Sequence, residues 1–252
     1  MTWSFDRRIK RAEELAETHS SARELLSFYR DLANFQKTVA APVQSNAVTD
    51  VRALVGHFPA LVDLIRRIGP KPVAEFACTH LQDEAAREKL LLEFWERGAS
   101  EAAPDTARFV AYILLQPFAE YLASRGDIQR DRAEPVCPFC NSRPVVAVLR
   151  GEGDGGKRSL VCSLCATEWQ YRRVLCPGCG EEDKDKLPIY IAEQFDYLRV
   201  DACDTCHTYI KSVDLTKNGH AVPMVDEIAS VALNLWAHEH GYSKLEPNLL
   251  GM

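Results

Sequence analysis

The stretch Cys137-Pro-Phe-Cys140, with Cys162-Ser-Leu-Cys165, Cys176-Pro-Gly-Cys179 and Cys203-Asp-Thr-Cys206, contains eight of the nine cysteines of this 252-residue chain. Each Cys-x-x-Cys loop, called a knuckle below, places two sulfurs on one side of a tight turn. Two knuckles that close on each other form a cage of four sulfurs, which suits Zn or a single Fe. The four knuckles therefore predict two Fe or Zn ions, each held by four thiolates.

The knuckles recur at similar intervals, which indicates an internal duplication. Between Cys140 and Cys162 lie 21 residues, and between Cys179 and Cys203 lie 23. Segments rich in Val, Ile and Tyr around each second knuckle are typical of strands. The strands are predicted at 144–150, 158–161 and 167–175 in unit one, and at 187–192, 197–200 and 208–215 in unit two. Each unit is thus expected to be a rubredoxin-like or zinc-ribbon module with a three-stranded antiparallel sheet.

Disulfides and redox-active pairs are the alternatives to metal. Residues 1–11 carry basic side chains with no apolar stretch behind them, so we expect no signal peptide and an intracellular chain. Inside cells, metal ligation is commoner than disulfide formation, and thioredoxin-like pairs occur singly in a βαβ pattern that this sequence lacks. Pairing of knuckles within each unit is simpler than pairing between units, and both stay open. The ninth cysteine, Cys78, is expected to pack as a small buried hydrophobe.

The chain before the first knuckle has helical periodicity. Helices are predicted over 5–17, from Ser21 with a Ser21/Glu24 capping box, and over 49–55, 60–68, 73–97 and 105–124, with connectors at 43–46 and 98–103. The 73–97 helix is expected to break near Thr79 or His80, and Pro117 should kink or divide the last one. The second knuckles, followed by Ala166 and His207, are expected to be less regular than those followed by Asn141 and Gly180.

The predicted fold is α+β, with a helical N-terminal domain followed by two tandem metal modules. The predicted boundaries are 1–130 for the helical domain, 136–175 for the first module and 176–252 for the second, with a polar linker over 126–135. The second module ends in a helix over 227–240 that Gly241 terminates. The longest apolar run, Phe109–Leu115, is too short to span a membrane.

Charge is unevenly distributed along the chain. The formal net charge is −6, which argues against general binding to nucleic acid. From Cys137 to Leu175, however, six basic residues face three acidic ones. This excess predicts either an ordinary solvated face or a basic docking patch for an acidic partner, with Arg158, Arg172 and Arg173 as candidates. Trp169 is expected either to pack on the first ribbon or to add an aromatic contact to that patch.

The sequence carries no signature of an enzyme active site. A Gly-rich phosphate loop, a nucleophile motif and a defensible pair of catalytic carboxylates are all absent from it. We therefore expect a non-catalytic protein. Two rival hypotheses are a rubredoxin-like carrier of single electrons and a zinc-ribbon adaptor that binds protein or nucleic acid. Metal identity separates them, because Zn has no redox chemistry.

Several stretches outside the Cys pairs are specific. The run from Cys162 to Trp169 reads Cys-Ser-Leu-Cys-Ala-Thr-Glu-Trp, and further stretches lie at Arg11–Ala16, Glu24–Tyr29, Val225–Ala229 and Gly241-Tyr242. Together with the knuckles, they resemble the FdhE family, the formate dehydrogenase accessory proteins. The resemblance covers most of the chain.

The resemblance implies a helical domain followed by two rubredoxin-like modules. It also implies a cytoplasmic role in maturing formate dehydrogenase, by binding its catalytic subunit before export or assembly. Iron in rubredoxin-like coordination is implied for the eight knuckle cysteines. Whether the chain forms a homodimer is left open.

Overall fold

The computed structural model describes residues 4–97, 104–131, 133–152 and 155–252. The predicted connector at 98–103 lies outside the described residues. The helices are α1 Phe5–Thr18, α2 Arg23–Gln44, α3 Phe58–Ile68, α4 Lys71–His80, α5 Glu84–Arg97, α6 Asp105–Arg125, α7 Pro223–Ala229 and α8 Val231–Glu239. The strands are β1 Pro144–Glu152, β2 Gly155–Cys162, β3 Glu168–Gln170, β4 Ile189–Ile191, β5 Leu198–Cys203, β6 Thr208–Asp214 and β7 Ser243–Lys244.

The helical part largely follows the predicted periodicity. The break near His80 is confirmed, because α4 ends there and α5 begins at Glu84. The capping box at Ser21 is wrong, since a 3₁₀ turn over Ser20–Ala22 leads into α2 without a side-chain cap. Helix α6 runs through Pro117 to Arg125. Its side chains are buried around almost the whole circumference, so packing on all sides maintains the helix where local propensity disfavours it.

The two units share one seven-stranded sheet of order β3-β2-β1-β6-β5-β4, with β7 beside β6. Each unit contributes three antiparallel strands, close to the predicted positions, which confirms the predicted α+β fold with two modules. A parallel pairing of β1 with β6, in which Ala147 lies opposite Ser212 and Leu149 opposite Asp214, joins the units. Edge-to-edge pairing of the two modules was not predicted.

One apolar core crosses the boundary between helices and sheet. Side chains such as Leu160 and Ile210 pack in the same cluster as the helical side chains Leu32 and Leu114. Helix α7 lies against α1, α2 and β1. Its Asp226 carboxylate pairs with the Arg11 guanidinium of α1 at 2.6 Å, which fixes the first helix to the last third of the chain.

Two further buried polar groups hold the helices together. Arg8 of α1 binds Glu120 of α6 through two hydrogen bonds of 2.8 and 2.9 Å. Burial of both groups requires this pairing, because an unpaired buried charge is strongly destabilising.

None of the helices within the described ranges combines the length and the apolar character needed to cross a bilayer.

Candidate metal centres

The eight knuckle cysteines form two groups, one in each unit. Group one consists of Cys137, Cys140, Cys162 and Cys165, and group two of Cys176, Cys179, Cys203 and Cys206. Within each group the sulfurs all lie within 4.8 Å of one another. The grouping is therefore within units, which was the simpler of the two predicted arrangements.

The sulfur positions fit a tetrahedral metal ion. Four thiolates at about 2.3 Å from a metal are separated from each other by about 3.8 Å. In group two the Cys176–Cys206 and Cys179–Cys203 sulfurs are 3.7 Å apart. In group one the three closest pairs lie at 3.3 to 3.5 Å, slightly compressed. All of these separations are far longer than a disulfide bond of about 2 Å, and the described cysteines are free thiols.

All four knuckles close in the same way. The residue after each second cysteine has a left-handed backbone, with φ of 61° at Asn141, 53° at Ala166, 79° at Gly180 and 54° at His207. The expectation that the second knuckles are less regular is therefore wrong. The closing geometry requires this conformation whatever the side chain, although Ala and His adopt it at a cost.

Backbone N–H groups and hydroxyls surround the sulfurs. The Phe139 and Gly178 amides point at the Cys137 and Cys176 sulfurs, at 3.4 and 3.3 Å. Hydroxyls lie near three other sulfurs, namely Ser142 at 3.5 Å from Cys140, Thr167 at 3.1 Å from Cys165 and Thr208 at 3.0 Å from Cys206. Such hydrogen bonds stabilise thiolate and tune a bound metal. Sequence reasoning missed these hydroxyls, although each follows the second cysteine of a knuckle by two positions.

The thiols in each cage titrate as an interacting set. Burial and the neighbouring thiols raise the pKa of Cys162, whereas hydrogen bonds from Cys137 and the other two thiols lower the pKa of Cys140. In group two, burial opposes ionisation of Cys206, but hydrogen bonds from the Thr208 hydroxyl and amide outweigh it and lower the pKa to about 7. A metal ion that binds four thiolates must displace the remaining protons, so metal uptake should release protons.

The two groups differ in how far solvent reaches them. Three of the group-one cysteines are buried and belong to the core shared with the helices. Gln116 of α6 covers this group, accepting a hydrogen bond from Gln36 and donating to the Ser163 carbonyl at 2.8 Å. In group two Cys179 is exposed and Cys206 is partly exposed. Group one is thus enclosed by the helical part, and group two opens to the surface.

Two of the four predicted docking residues are buried, which corrects the expected surface role of Arg158 and, for Trp169, agrees with the alternative in which it packs within the first module. Trp169 is 1% exposed, and its indole N–H donates to the Glu134 carbonyl. Arg158 is 3% exposed, and its guanidinium donates to the Leu175 carbonyl and pairs with Asp201 at 3.3 Å. Both side chains point inward, where they bind partners from other parts of the chain.

The other two docking candidates, Arg172 and Arg173, lie on the surface. Arg172 forms a two-point ion pair with Glu182 of unit two, at 2.7 and 3.1 Å. The exposure of this pair limits its strength. Arg173 donates to the Gly156 carbonyl at 3.5 Å. The structure thus brings these two residues to the junction between the units.

Two family models match the part of the chain that carries the cysteine groups. The family described as FdhE, central domain, matches residues 136–173, and the one described as FdhE, C-terminal domain, matches residues 161–250. A protein named Protein FdhE homolog from Aquifex aeolicus (strain VF5) is 35% identical over 206 residues, which cover 80% of this chain and 71% of that protein.

More distant relatives cover nearly the whole chain. Protein FdhE homolog from Haemophilus influenzae (strain PittEE) is 26% identical over 261 residues, covering 95% of this chain and 85% of that protein. The crystal structure of the FdhE protein from Pseudomonas aeruginosa matches with a TM-score of 0.70 at 24% identity, covering 98% of this chain and 95% of that chain. At this identity the structural match shows that the two proteins share a fold.

Proposed function

This chain belongs to the FdhE family, and on that basis we propose that it is an accessory protein that helps formate dehydrogenase to mature. It acts by binding the catalytic subunit, not by turnover. The observation that carries the proposal is the pair of four-cysteine groups, built within the region that the FdhE family models match. Thiol cages of this kind need reduced cysteines, which supports a cytoplasmic site of action.

The eight knuckle cysteines hold two metal ions in this proposal. Sulfur separations near those of a tetrahedron, amide N–H groups at the sulfurs and hydroxyls beside them all support ligation. The donor set suits either Fe or Zn. When bound, the ions stabilise two modules whose own cores are small, since structural metal binding contributes directly to folding.

The exposed basic side chains at the junction of the units serve as part of the partner surface. Arg173 has an exposed guanidinium and only a long hydrogen bond, so it is available to an acidic partner. Arg172 can exchange its exposed ion pair with Glu182 for one with the partner. Charges at the edge of an interface act mainly on the rate of encounter.

Co-purification tests the proposed client and the metal together. A tagged chain, purified without oxygen from cells that express a formate dehydrogenase catalytic subunit, should retain that subunit and contain about two equivalents of Fe plus Zn. Cys137→Ser should lower the metal content by about one equivalent. Cys78→Ser is the matched control and should change nothing, because Cys78 belongs to neither group. Failure of the wild-type chain to retain the subunit would reject the client.

A charge reversal tests the partner surface separately. Arg173→Glu should slow association with the catalytic subunit and reduce its dependence on salt, with metal content unchanged. Arg67→Glu, at another exposed arginine near the end of α3, is the control and should leave association as it is. Equal association rates for the two variants would remove Arg173 from the surface.

A one-electron carrier is a second candidate, favoured by the exposure of Cys179 in group two. An Fe ion there would lie close enough to the surface for a redox partner to approach. Reversible one-electron reduction of the iron-loaded chain, retained in Cys137→Ser and lost in Cys179→Ser, is the expected result for this function. A chain that holds only Zn in cells would exclude it, because Zn is redox-inert.

A further inference from the structure

A cleft of about 180 Å³ lies where the chain crosses from unit one to unit two. The crossing segment supplies Val174 and Leu175 to one wall, and Leu187 and Ile189 supply apolar surface on the other side. The cleft exists because two modules share one sheet, so neither unit could form it alone.

The charges that line this cleft are mainly positive. Its lining contains four cationic side chains and one carboxylate, namely Arg158, Arg173, Lys184, Arg199 and Asp201. Asp201 is already shared, since it forms ion pairs with Arg199 at 2.8 Å and with Arg158 at 3.3 Å. Neither Arg173 nor Lys184 has a carboxylate partner among the described residues. The Nε atom of Arg158 is also buried without a hydrogen-bond partner.

Strand β4 forms one rim of the cleft and is an outer strand of the sheet. The Ala202 amide donates to the Pro188 carbonyl at 3.0 Å, so Pro188 and Ala202 form a hydrogen-bonded pair. In an antiparallel ladder such pairs alternate, which makes Tyr190 and Val200 the next one. The N–H and C=O groups of Ile189 and Ile191 therefore point outward from the sheet.

The side chains of β4 do not protect this edge. Ile189 is 52% exposed and Ile191 63% exposed, and both lie on the cleft side, opposite Asp201 and Arg199. Exposed edges normally carry charges or proline that discourage pairing with another strand. Tyr190 points to the other face, where its ring packs on Trp236 at a centroid distance of 4.6 Å, so the strand is held firmly from behind.

We propose that β4 accepts an extended segment of a partner protein as an additional strand, and that acidic side chains of this segment enter the cleft. Outward backbone groups would supply hydrogen bonds, Ile189 and Ile191 would contact apolar side chains, and Arg173 and Lys184 would bind the carboxylates. The cationic lining selects an acidic segment over a basic one. This inference rests on the proposed function insofar as the chain works by binding a partner, and it adds the kind of segment that is bound.

A synthetic peptide tests the site on the full chain. The probe is fluorescein-labelled Glu-Val-Thr-Val-Thr-Val-Glu, blocked at both ends, and its charge control has Lys in place of both Glu residues. The wild-type chain should bind the Glu peptide at least about fivefold more tightly than the Lys peptide, as expected for pairing with two exposed cations. Methylation of alternate amide nitrogens should abolish binding for one set of positions and spare the other, because only one set faces β4.

Variants of β4 separate the edge from the rest of the surface. Ile191→Pro removes one outward N–H and leaves the pairing of Tyr190 with Val200, so it should weaken peptide binding about fivefold. Ile191→Lys should weaken it at least as much. The matched control is Leu235→Lys on α8, which is also 63% exposed and should not alter binding. Arg173→Glu with Lys184→Glu should abolish the preference for the Glu peptide.

Three results would overturn the proposal. These are equal binding of both peptides, unchanged binding in both Ile191 variants, and self-association of the wild-type chain through β4 that Ile191→Pro abolishes, which would make a second copy the occupant. Failure of this proposal can be distinguished from failure of the proposed function. If the wild-type chain captures the catalytic subunit but does not bind the Glu peptide, only the edge-strand site is rejected. If it binds the Glu peptide but does not capture the catalytic subunit, only the client is rejected.

Discussion

At the scale of single residues, each knuckle ends in a left-handed residue, and the four residues that do so differ in how well they tolerate it. Glycine and asparagine adopt this conformation readily, whereas alanine adopts it at a cost of about 1 kcal/mol. Ala166 is buried at this position, and Gly180 has free space where a Cβ would be. Gly180 therefore allows backbone strain to be measured with little change in packing, whereas at Ala166 the loss of one buried methyl group opposes the relief of strain.

Reciprocal exchanges at these positions should have opposite effects. We expect Ala166→Gly to raise the free energy of unfolding by up to about 1 kcal/mol and Gly180→Ala to lower it by a similar amount. Denaturant unfolding of the metal-loaded protein measures both. Ala202→Gly in β5, at a position without positive φ, should be destabilising. Unchanged stability in Gly180→Ala would show that the knuckle is not strained, because a Cβ at this position has no packing contact.

The hydroxyl beside Cys206 should affect the metal at group two. Thr208→Val keeps the side-chain shape and removes the oxygen that lies 3.0 Å from the sulfur. We expect metal affinity at group two to fall about tenfold, the usual size for a lost hydrogen bond to a ligand. Competition with a chromogenic chelator measures the affinity, and Thr208→Ser, which keeps the hydroxyl, should bind as the wild type does.

At the scale of elements, helix α6 gives the two cysteine groups different surroundings. It covers group one through Gln116, whereas no helix covers Cys179 of group two within the described residues. A chelator must reach the sulfur–metal bonds, so burial of the ligands should slow release. The duplicated units are thus similar in sequence, but a chelator can reach the sulfurs of group two more easily than those of group one.

Metal release should accordingly proceed in two phases. We expect a chelator in excess to remove the group-two metal at least about tenfold faster than the group-one metal, because release from group one requires local opening of the core. Absorbance of the chelator complex over time gives both rates. Cys179→Ser should remove the fast phase and Cys137→Ser the slow one, while Cys78→Ser preserves both. A single phase in the wild-type chain would contradict the difference in access.

At the scale of the whole molecule, α7 connects the helices with the sheet through two adjacent carboxylates. Asp226 binds Arg11 of α1 and the Tyr197 hydroxyl, and Glu227 binds Lys211 of β6 at 2.9 Å. Glu227 also pairs with Lys244 and accepts from Asn248 at 2.7 Å. Burial opposes ionisation of Glu227, but the two lysines outweigh it and lower its pKa to about 2.

Glu227 and Lys211 should differ in how much each contributes to the free energy of unfolding. Glu227→Gln leaves two lysines buried without an anion, so we expect it to cost about 3–5 kcal/mol of stability. Lys211→Met should cost less, because Glu227 retains Lys244 and burial already lowers the pKa of Lys211 to about 8. Thermal unfolding at neutral pH compares them. Equal losses would mean that Lys244 does not compensate.

The Glu227 carboxylate should account for part of the loss of stability at acid pH. The pKa of Glu227 is lower in the folded chain than the ordinary value of about 4.3, so its stabilisation is present above that value and is lost as the pH falls toward 2. Glu227→Gln should remove this component. The difference in stability between wild type and variant should therefore shrink as the pH falls through this range.

The sequence by itself determined the features that depend on residues close along the chain. Knuckle spacing predicted the two cysteine groups, because two cysteines separated by two residues place both sulfurs on one turn whatever surrounds them. Strand composition located β1 to β6 within a few residues, and periodicity located most of the helices. The predicted helix at 49–55 is a 3₁₀ helix over Val51–His57, and the predicted helix at 227–240 is two helices, α7 and α8, separated at Ser230. The hydroxyls of Ser142, Thr167 and Thr208 at the sulfurs were missed, although their offset of two residues from the knuckles is present in the sequence.

Only the tertiary structure decided what depends on contacts between distant segments. Whether a basic side chain such as Arg158 is buried follows from partners in the other unit, and no local pattern records them. The parallel pairing of β1 with β6 brings together residues more than sixty positions apart, as with Ala147 and Ser212. This pairing joins the two units, and the cleft is lined by residues of both. The physical reason is that burial and edge pairing are properties of the assembled surface, which the folded chain alone defines.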